Sequence, residues 1–290
     1  MSIKKKISKN IRKLFSLRFF ELIICQFSQN KSLNSLIGKL VPENTFYKSN
    51  SIRYVKRDGI YYCLDISDYQ NWLIYFGLNE DRPFGLYDLV KDNFIIIDVG
   101  SNIGQTAMTL ANMTFDKAII YGFEPDPVNF EKAIKNLKLN TFRNIKYQNI
   151  GLGAKKGELF LRVDTPTNRG GNRIDQQNKS ENSIEIKIER LDDLVLDMNI
   201  EKIDLIKIDV EGFELEVLKG AENVLRKHKP LLFIEVDDKN LLQQGASSFK
   251  LINFLNNIGY KCVNTQTTKI VNDDSLELKN CHFDIKCSYA

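Results

Sequence analysis

Three short stretches of this 290-residue chain carry side chains whose type and spacing suit chemistry. The first is Asp98-x-Gly100-x-Asn102-x-Gly104, at the end of the mostly apolar stretch Phe94–Val99. Glycines at a strand-to-helix turn let the backbone bend sharply and approach a ligand, and the helix that follows offers unpaired N–H groups. The second is Phe123-Glu124-Pro125, with the acid twenty residues beyond Gly104. A carboxylate at that distance can accept hydrogen bonds from the two hydroxyls of a ribose. The third is Lys207-Ile-Asp209-Val-Glu211-Gly212, joined by Glu235 in Phe233-Ile-Glu-Val236. Acids gathered at one sheet edge suit proton transfer or binding of a cation. A helix N-terminus would also account for Glu211 and Glu214.

The loop discriminates between nucleotide ligands. A pyrophosphate calls for Gly-x-Gly-x-x-Gly, whereas Asn102 holds the middle position here and Asp98 precedes the loop. A carboxylate there repels a pyrophosphate and attracts an ammonium group. This favours a cofactor that carries an amino acid, S-adenosylmethionine, over NAD.

Alternating strands and helices must position these residues. Strands are expected at Phe94–Val99, Ala118–Phe123, Ile145–Ile150, Ile203–Val210 and Leu231–Val236. Helices are expected at Gln105–Asn112, Val128–Leu139, Leu215–Lys227 and Phe249–Ile258, with paired strands around Tyr260–Val263 and His282–Cys287. That order predicts an α/β fold, a doubly wound, mostly parallel Rossmann-like sheet with antiparallel C-terminal strands. Period-two alternation in Glu158–Val163 and Ile184–Ile188 predicts an antiparallel pair within an insertion at about 158–188. Its long polar loop, which includes Arg169-Gly-Gly-Asn-Arg173, is of a length usually reserved for function. The expected division is an N-terminal extension, residues 1–90, and a catalytic domain, residues 91–290. Within the extension, Ile52–Val55 and Ile60–Leu64 predict a hairpin turning at Asp58-Gly59, followed by a helix holding Trp72 and Phe76.

The motif set resembles the FkbM family of methyltransferases over roughly Ile95 to Val236. The stretch Ile208-Asp-Val-Glu-Gly212 followed by Glu214-x-x-x-Leu-Lys-Gly-Ala221 is its most specific part. The resemblance implies a class I methyltransferase that uses S-adenosylmethionine, with an oxygen acceptor on a sugar, glycan or natural product. By the same resemblance Asp98, Gly100, Asn102 and Gly104 hold the methionine end, Glu124 the ribose, and Asn149 lies near the adenine. Asp209 belongs with both the cofactor and the catalytic residues. The Asn/Asp-Pro-Pro-aromatic signature of amino-group methylation is absent after the fourth strand, which also points to oxygen. With only two histidines, His228 beside lysines and His282 in a C-terminal strand, a carboxylate base is expected: Glu211 first, then Asp209, with Glu235 shaping the acceptor pocket. The same acids could bind Mg²⁺. The competing readings are an NAD-linked oxidoreductase and a non-catalytic binding protein that retains the fold.

Composition narrows the partners. A net charge of +4 is too mild to predict nucleic-acid binding. The charge is uneven, however: Lys4, Lys5, Lys6, Lys9, Arg12, Lys13 and Arg18 precede the first acid, Glu21. Ile7, Ile11, Leu14 and Phe15 recur at helical spacing, which predicts a basic amphipathic helix within residues 1–27. Such a helix can lie on an anionic membrane or pack its apolar side on the protein itself. The five scattered cysteines lack metal or redox spacing and are expected as reduced, buried thiols of a cytoplasmic protein, peripheral at most to the inner face of the membrane.

Overall fold

The computed structural model describes residues 11–79, 85–163, 165, 167–175 and 182–290. They group into two compact units, Met1–Arg82 with Thr165–Gly170, and Pro83–Asp164 with Gly171–Ala290.

The first unit holds α1 (Arg18–Phe27), the hairpin β1 (Ile52–Arg57) and β2 (Ile60–Asp65), and α2 (Tyr69–Phe76). The hairpin closes at the Arg57 and Ile60 pair, and Asp58 and Gly59 both adopt positive φ, 48° and 88°, as a two-residue turn requires. Asp68 caps α2 by accepting from the Asn71 N–H, and Gly77 ends the helix in a left-handed conformation. Trp72, Tyr75 and Phe76 are buried along α2, and the Trp72 indole donates to the Pro42 carbonyl at 2.8 Å. The helical pattern expected across residues 1–10 lies outside the described residues.

The second unit is built on an eight-stranded sheet. In chain order it contains β3 (Ile95–Val99), α3 (Gln105–Met113), β4 (Ile119–Phe123), α4 (Pro127–Lys138) and β5 (Ile145–Gln148). An insertion then adds β6 (Gly151–Leu152), β7 (Gly157–Arg162), β8 (Arg173–Asp175) and β9 (Ser183–Glu189). The chain continues through α5 (Leu191–Asp197), β10 (Leu205–Ile208), α6 (Glu214–Gly220), α7 (Glu222–His228), β11 (Leu231–Asp237), α8 (Asp238–Gln243) and α9 (Ser248–Asn257). It ends with β12 (Tyr260–Asn264), β13 (Ile270–Val271) and β14 (His282–Tyr289). The large sheet runs β13-β12-β14-β11-β10-β3-β4-β5. The five strands from β11 to the β5 edge are parallel, and β14 enters antiparallel between β11 and β12.

The chain leaves β3 in one direction through β4 and β5, then returns to lay β10 and β11 on the other side. Strand order therefore reverses between β3 and β10, and the crevice beyond their carboxyl ends is where such sheets bind ligands. The burial of Ile96, Ile97, Val99, Leu205, Ile206 and Ile208 explains the continuous apolar runs: these strands are covered on both faces.

The insertion forms a second sheet, β6-β9-β7-β8, in which β7 and β9 are antiparallel as their alternation predicts. Its inward residues Leu161, Ile174, Ile186 and Ile188 join the same apolar core as Val99, Phe123 and Ile208.

One element differs from expectation. The single helix predicted over Leu215–Lys227 is two, broken at Ala221. A Cβ on Gly220 would lie 2.0 Å from the Gly153 carbonyl oxygen, so backbone packs directly on backbone there. The Asp192 carboxylate accepts from the N–H groups of Val224, at 3.0 Å, and Asn223, at 3.3 Å. It thereby satisfies donors that the break exposes.

Candidate functional site

The Asp98–Gly104 loop is held by both of its neighbours in the sheet. Gly100 and Ser101 N–H donate to the Phe123 carbonyl on β4, at 3.0 and 3.1 Å, and Asp209 N–H donates to Val99 on β3 at 3.2 Å. Gly100, Asn102 and Gly104 all have positive φ, 78°, 49° and 84°. A Cβ at Gly100 would sit 1.9 Å from the Asp209 carbonyl oxygen, which makes glycine obligatory where the two loops cross. At Gly104 the Tyr147 hydroxyl occupies the corresponding space, 2.4 Å from an added Cβ.

Beneath this loop lies a buried lysine that inspection of the motifs did not single out. Lys207 on β10 places its Nζ 2.9 Å from the Gly100 carbonyl, 3.5 Å from Asp98 Oδ1 and 3.3 Å from Asp209 Oδ2. Burial opposes its charge, but Asp209 and Asp98 outweigh that and hold the ammonium above the usual lysine range. Asp98 is fully buried; desolvation pushes its carboxyl up and Lys207 opposes the shift. Its carboxylate therefore meets Lys207 rather than an open crevice. The visible signal was a lysine inside an otherwise apolar strand, Leu205-Ile-Lys-Ile208.

Glu124 closes the other side. Oε2 accepts from the Asn102 N–H at 2.8 Å and Oε1 from the Asp126 N–H at 2.9 Å. Burial pushes its carboxyl up to about 7 against these bonds. Each oxygen keeps a further lone pair with which it can accept a ligand hydroxyl. Asn149 donates to the Glu124 and Pro125 carbonyls, at 2.8 and 3.1 Å, so its amide nitrogen clamps the turn after β4. Asp126 caps α4, and its Oδ2 accepts from Asn172 of the insertion at 2.7 Å.

Beyond β10 and β11 the acids converge. Glu211 adopts φ 54°, a left-handed conformation uncommon for a non-glycine residue, and Gly212 follows at φ 102°. Glu214 explains part of that turn: its Oε1 accepts from the N–H groups of Gly212, at 2.9 Å, and Val210, at 3.3 Å, from a fully buried position. Glu211 Oε2 accepts from Asn240 Nδ2 at 2.7 Å, and Arg173 of β8 lies 3.9 Å away. Burial, then the charges of Glu235 and Asp209, push the Glu211 carboxyl up to about 8. Asp209 and then burial raise Glu235.

Pairing with β14 adds Asp284, which no motif marks, and His282, whose place in a C-terminal strand reads from sequence as structural. Asp284 is the register partner of Glu235, and burial followed by Glu235 and Asp209 pushes it up to about 7. His282 sits 3.3 Å from Glu235 Oε1 and 3.5 Å from Asp237 Oδ2, and its hydrogen bond to Glu235 leads in pushing it up to about 9. Only the antiparallel return of the C-terminal strand brings them here.

The expected residues thus separate into two neighbouring sets. Gly100, Asn102, Gly104, Glu124 and Asn149 shape the loop beside β4, and Asp209, Glu211 and Glu235 crowd the ends of β10 and β11. Lys207 links Asp98 and Asp209 between them. Among the described residues no three acidic, histidine or cysteine side chains are grouped as a metal-ligand set.

Comparison with known proteins identifies the family. The model of the Methyltransferase FkbM domain matches residues 98–262, more than half of the chain. The chain belongs to the FkbM methyltransferase family. The match runs from the buried Asp98 into β12 and so takes in both sets of residues. Among curated relatives, this FkbM domain is 29% identical over 203 residues to Methyltransferase sdnD of Sordaria araneosa, covering 60% of the chain and 77% of the relative. It is 32% identical over 143 residues to Hexuronic acid methyltransferase AglP of Haloferax volcanii, covering 49% of the chain and 55% of that protein. It is 28% identical over 169 residues to 2-O-methyltransferase NoeI of Sinorhizobium fredii, covering 53% and 68%.

FkbM methyltransferases use S-adenosylmethionine, and the donor set here fits that cofactor. A carboxylate fixed by two backbone N–H groups, with a lone pair left on each oxygen, suits the hydroxyls of a ribose.

Proposed function

We propose that this methyltransferase alkylates a hydroxyl group of a sugar, glycan or sugar-like acceptor, with Glu211 as the general base. The observation that carries the reading is the Glu211 carboxyl: strained backbone, one anchored oxygen, and a proton affinity raised to about 8 by burial and neighbouring acids. A base with an affinity near working pH is best matched to proton transfer.

S-adenosylmethionine supplies an electrophilic methyl group on a sulfonium. Gly100, Asn102 and Gly104 would admit its methionine end, Asp98 and Asp209 with Lys207 would set the charge there, Glu124 would take the ribose hydroxyls, and Asn149 would fix the turn beside the adenine. The protein's main task is to hold the acceptor oxygen in line with the methyl group at near-attack distance. Glu211 would receive the hydroxyl proton on its carboxylate as the acceptor oxygen takes the methyl group and the sulfonium–methyl bond breaks, the sulfur leaving as a neutral thioether. Asn240 holds that carboxylate in place. Glu235, tied to His282, forms the acceptor side of the pocket.

Arg173 turns this reading toward acidic acceptors. It comes from the insertion, donates from Nη1 to Gln243 at 3.0 Å, places Nη2 3.9 Å from Glu211, and its buried Nε has no hydrogen-bond partner among the described residues. A guanidinium in that position can take a carboxylate or phosphate on the acceptor. Two relatives bear names that denote a hexuronic acid and a 2-O-methylation.

The test is transfer of labelled methyl from S-adenosylmethionine to paired acidic and neutral sugars. The reading expects ether formation on oxygen, with the uronic acid or nucleotide sugar preferred over its neutral counterpart. Labelling of amino groups only, or no dependence on acceptor charge, would overturn it. Loss of turnover in excess chelator would assign the same acids to Mg²⁺ instead.

A further inference from the structure

Helix α1 buries the wrong side for a free-standing soluble helix. Its inward residues are Glu21, Ile24 and Cys25. Glu21 is fully buried, and its two oxygens accept from Arg53 at 2.7 and 2.9 Å and from the Tyr75 hydroxyl at 2.8 Å. The outward side carries Phe19, Leu22, Ile23 and Phe27, which are 70%, 51%, 39% and 60% exposed. At 100° per residue these four fall on one continuous arc, interrupted only by Gln26. The turns before it leave Ile11, Leu14 and Leu17 exposed as well. Isolated exposed apolar residues need no explanation, but a contiguous apolar helix face marks an interaction surface.

The charge beside this face selects its partner. Residues 1–18 contain seven lysines and arginines and no acid. Arg12 is engaged by Glu43 and Arg18 by Glu21, and Lys13 is exposed; the sequence adds Lys4, Lys5, Lys6 and Lys9 before it. A second copy docked on the same face would bring two such basic runs together, and like charges oppose that association. An anionic lipid surface receives the cations at its headgroups and the phenylalanines and leucine at the acyl boundary. No helix among the described residues is long and apolar enough to cross a membrane, so the contact is peripheral. We propose that residues 11–27 form a surface that docks the protein on anionic phospholipid bilayers through Phe19, Leu22, Ile23 and Phe27.

The test is cosedimentation of the full chain with vesicles of phosphatidylcholine alone and of phosphatidylcholine mixed with phosphatidylglycerol. Binding is expected to the mixed vesicles, to weaken with added salt, and to fall about tenfold or more in the double variant Phe19→Ser, Phe27→Ser. Both side chains are exposed, so the variant is expected to keep the parental thermal midpoint and methyl transfer to soluble acceptors. Equal sedimentation of parent and variant, or equal binding to neutral vesicles, would overturn the proposal. A dimer in analytical ultracentrifugation that the variant dissolves, without vesicle binding, would assign the face to a second copy. Vesicle binding is read without any methyl transfer, so its failure is separate from that of the proposed activity.

Discussion

Replacing Glu211 by glutamine should lower activity and raise stability together, because one cause produces both effects. The glutamine keeps the size of the side chain and an oxygen to accept from Asn240, but it cannot take a proton. Loss of a general base lowers kcat about 10²–10⁴-fold. In the parent, kcat/KM should climb with pH and level off above about 8, and the variant should lose that rise. The stability effect follows from the same proton. The folded carboxyl titrates near 8 and the unfolded one near its ordinary 4.5, so between these values the folded state retains a proton that the unfolded chain has released. Folding therefore weakens as pH rises through this window. One fully titrating group changes stability by about 1.4 kcal/mol per pH unit. Glu211 shares its proton affinity with Glu235 and Asp209 and keeps some solvent contact, which reduces its own share to about 1–3 kcal/mol at pH 9. The variant should then melt about 2–8 °C higher than the parent at pH 9 and at the same temperature near pH 4. Differential scanning calorimetry at both pH values, with single-turnover methyl transfer, measures the pair. Parental turnover in the variant would remove Glu211 from proton transfer. A melting shift of equal size at both pH values would refute burial and charge repulsion as its origin.

Three further substitutions probe the cofactor side. Lys207→Met leaves Asp98 buried beside an apolar chain and should cost about 3–5 kcal/mol in thermal or denaturant unfolding. Adding Asp98→Asn should recover part of that loss, whereas strict additivity would show that the two do not act as a pair. Glu124→Gln retains one oxygen where the parent uses two, and should weaken S-adenosylhomocysteine binding by calorimetry about 10–100-fold. Unchanged affinity would move the ribose elsewhere.

Much of this protein was legible in its residue order. Short, predominantly apolar runs at Phe94–Val99 and Leu205–Ile208, each broken by one charge and separated by amphipathic helices, signal strands covered on both faces, because a strand buried on both sides needs apolar residues at odd and even positions alike. Asp58-Gly59 signals the hairpin because both positions need positive φ. The loop glycines and the acids at 124, 209, 211 and 235 stand at strand ends, where local sequence already places them on one edge of the sheet. Tertiary structure decided which of these charges meet. Strand order places Lys207 under Gly100 and beside Asp98, residues more than a hundred positions away, and turns Asp98 from a ligand-facing acid into a buried partner. The antiparallel return of β14 sets Asp284 and His282 beside Glu235, and the insertion delivers Arg173 to Glu211. Helix α1 was legible as amphipathic, yet only the packed unit shows that Glu21 points inward and Phe19 outward. The physical reason is range: propensity and periodicity act over a few residues, whereas desolvation and Coulomb energies depend on distances in space that only the folded chain defines.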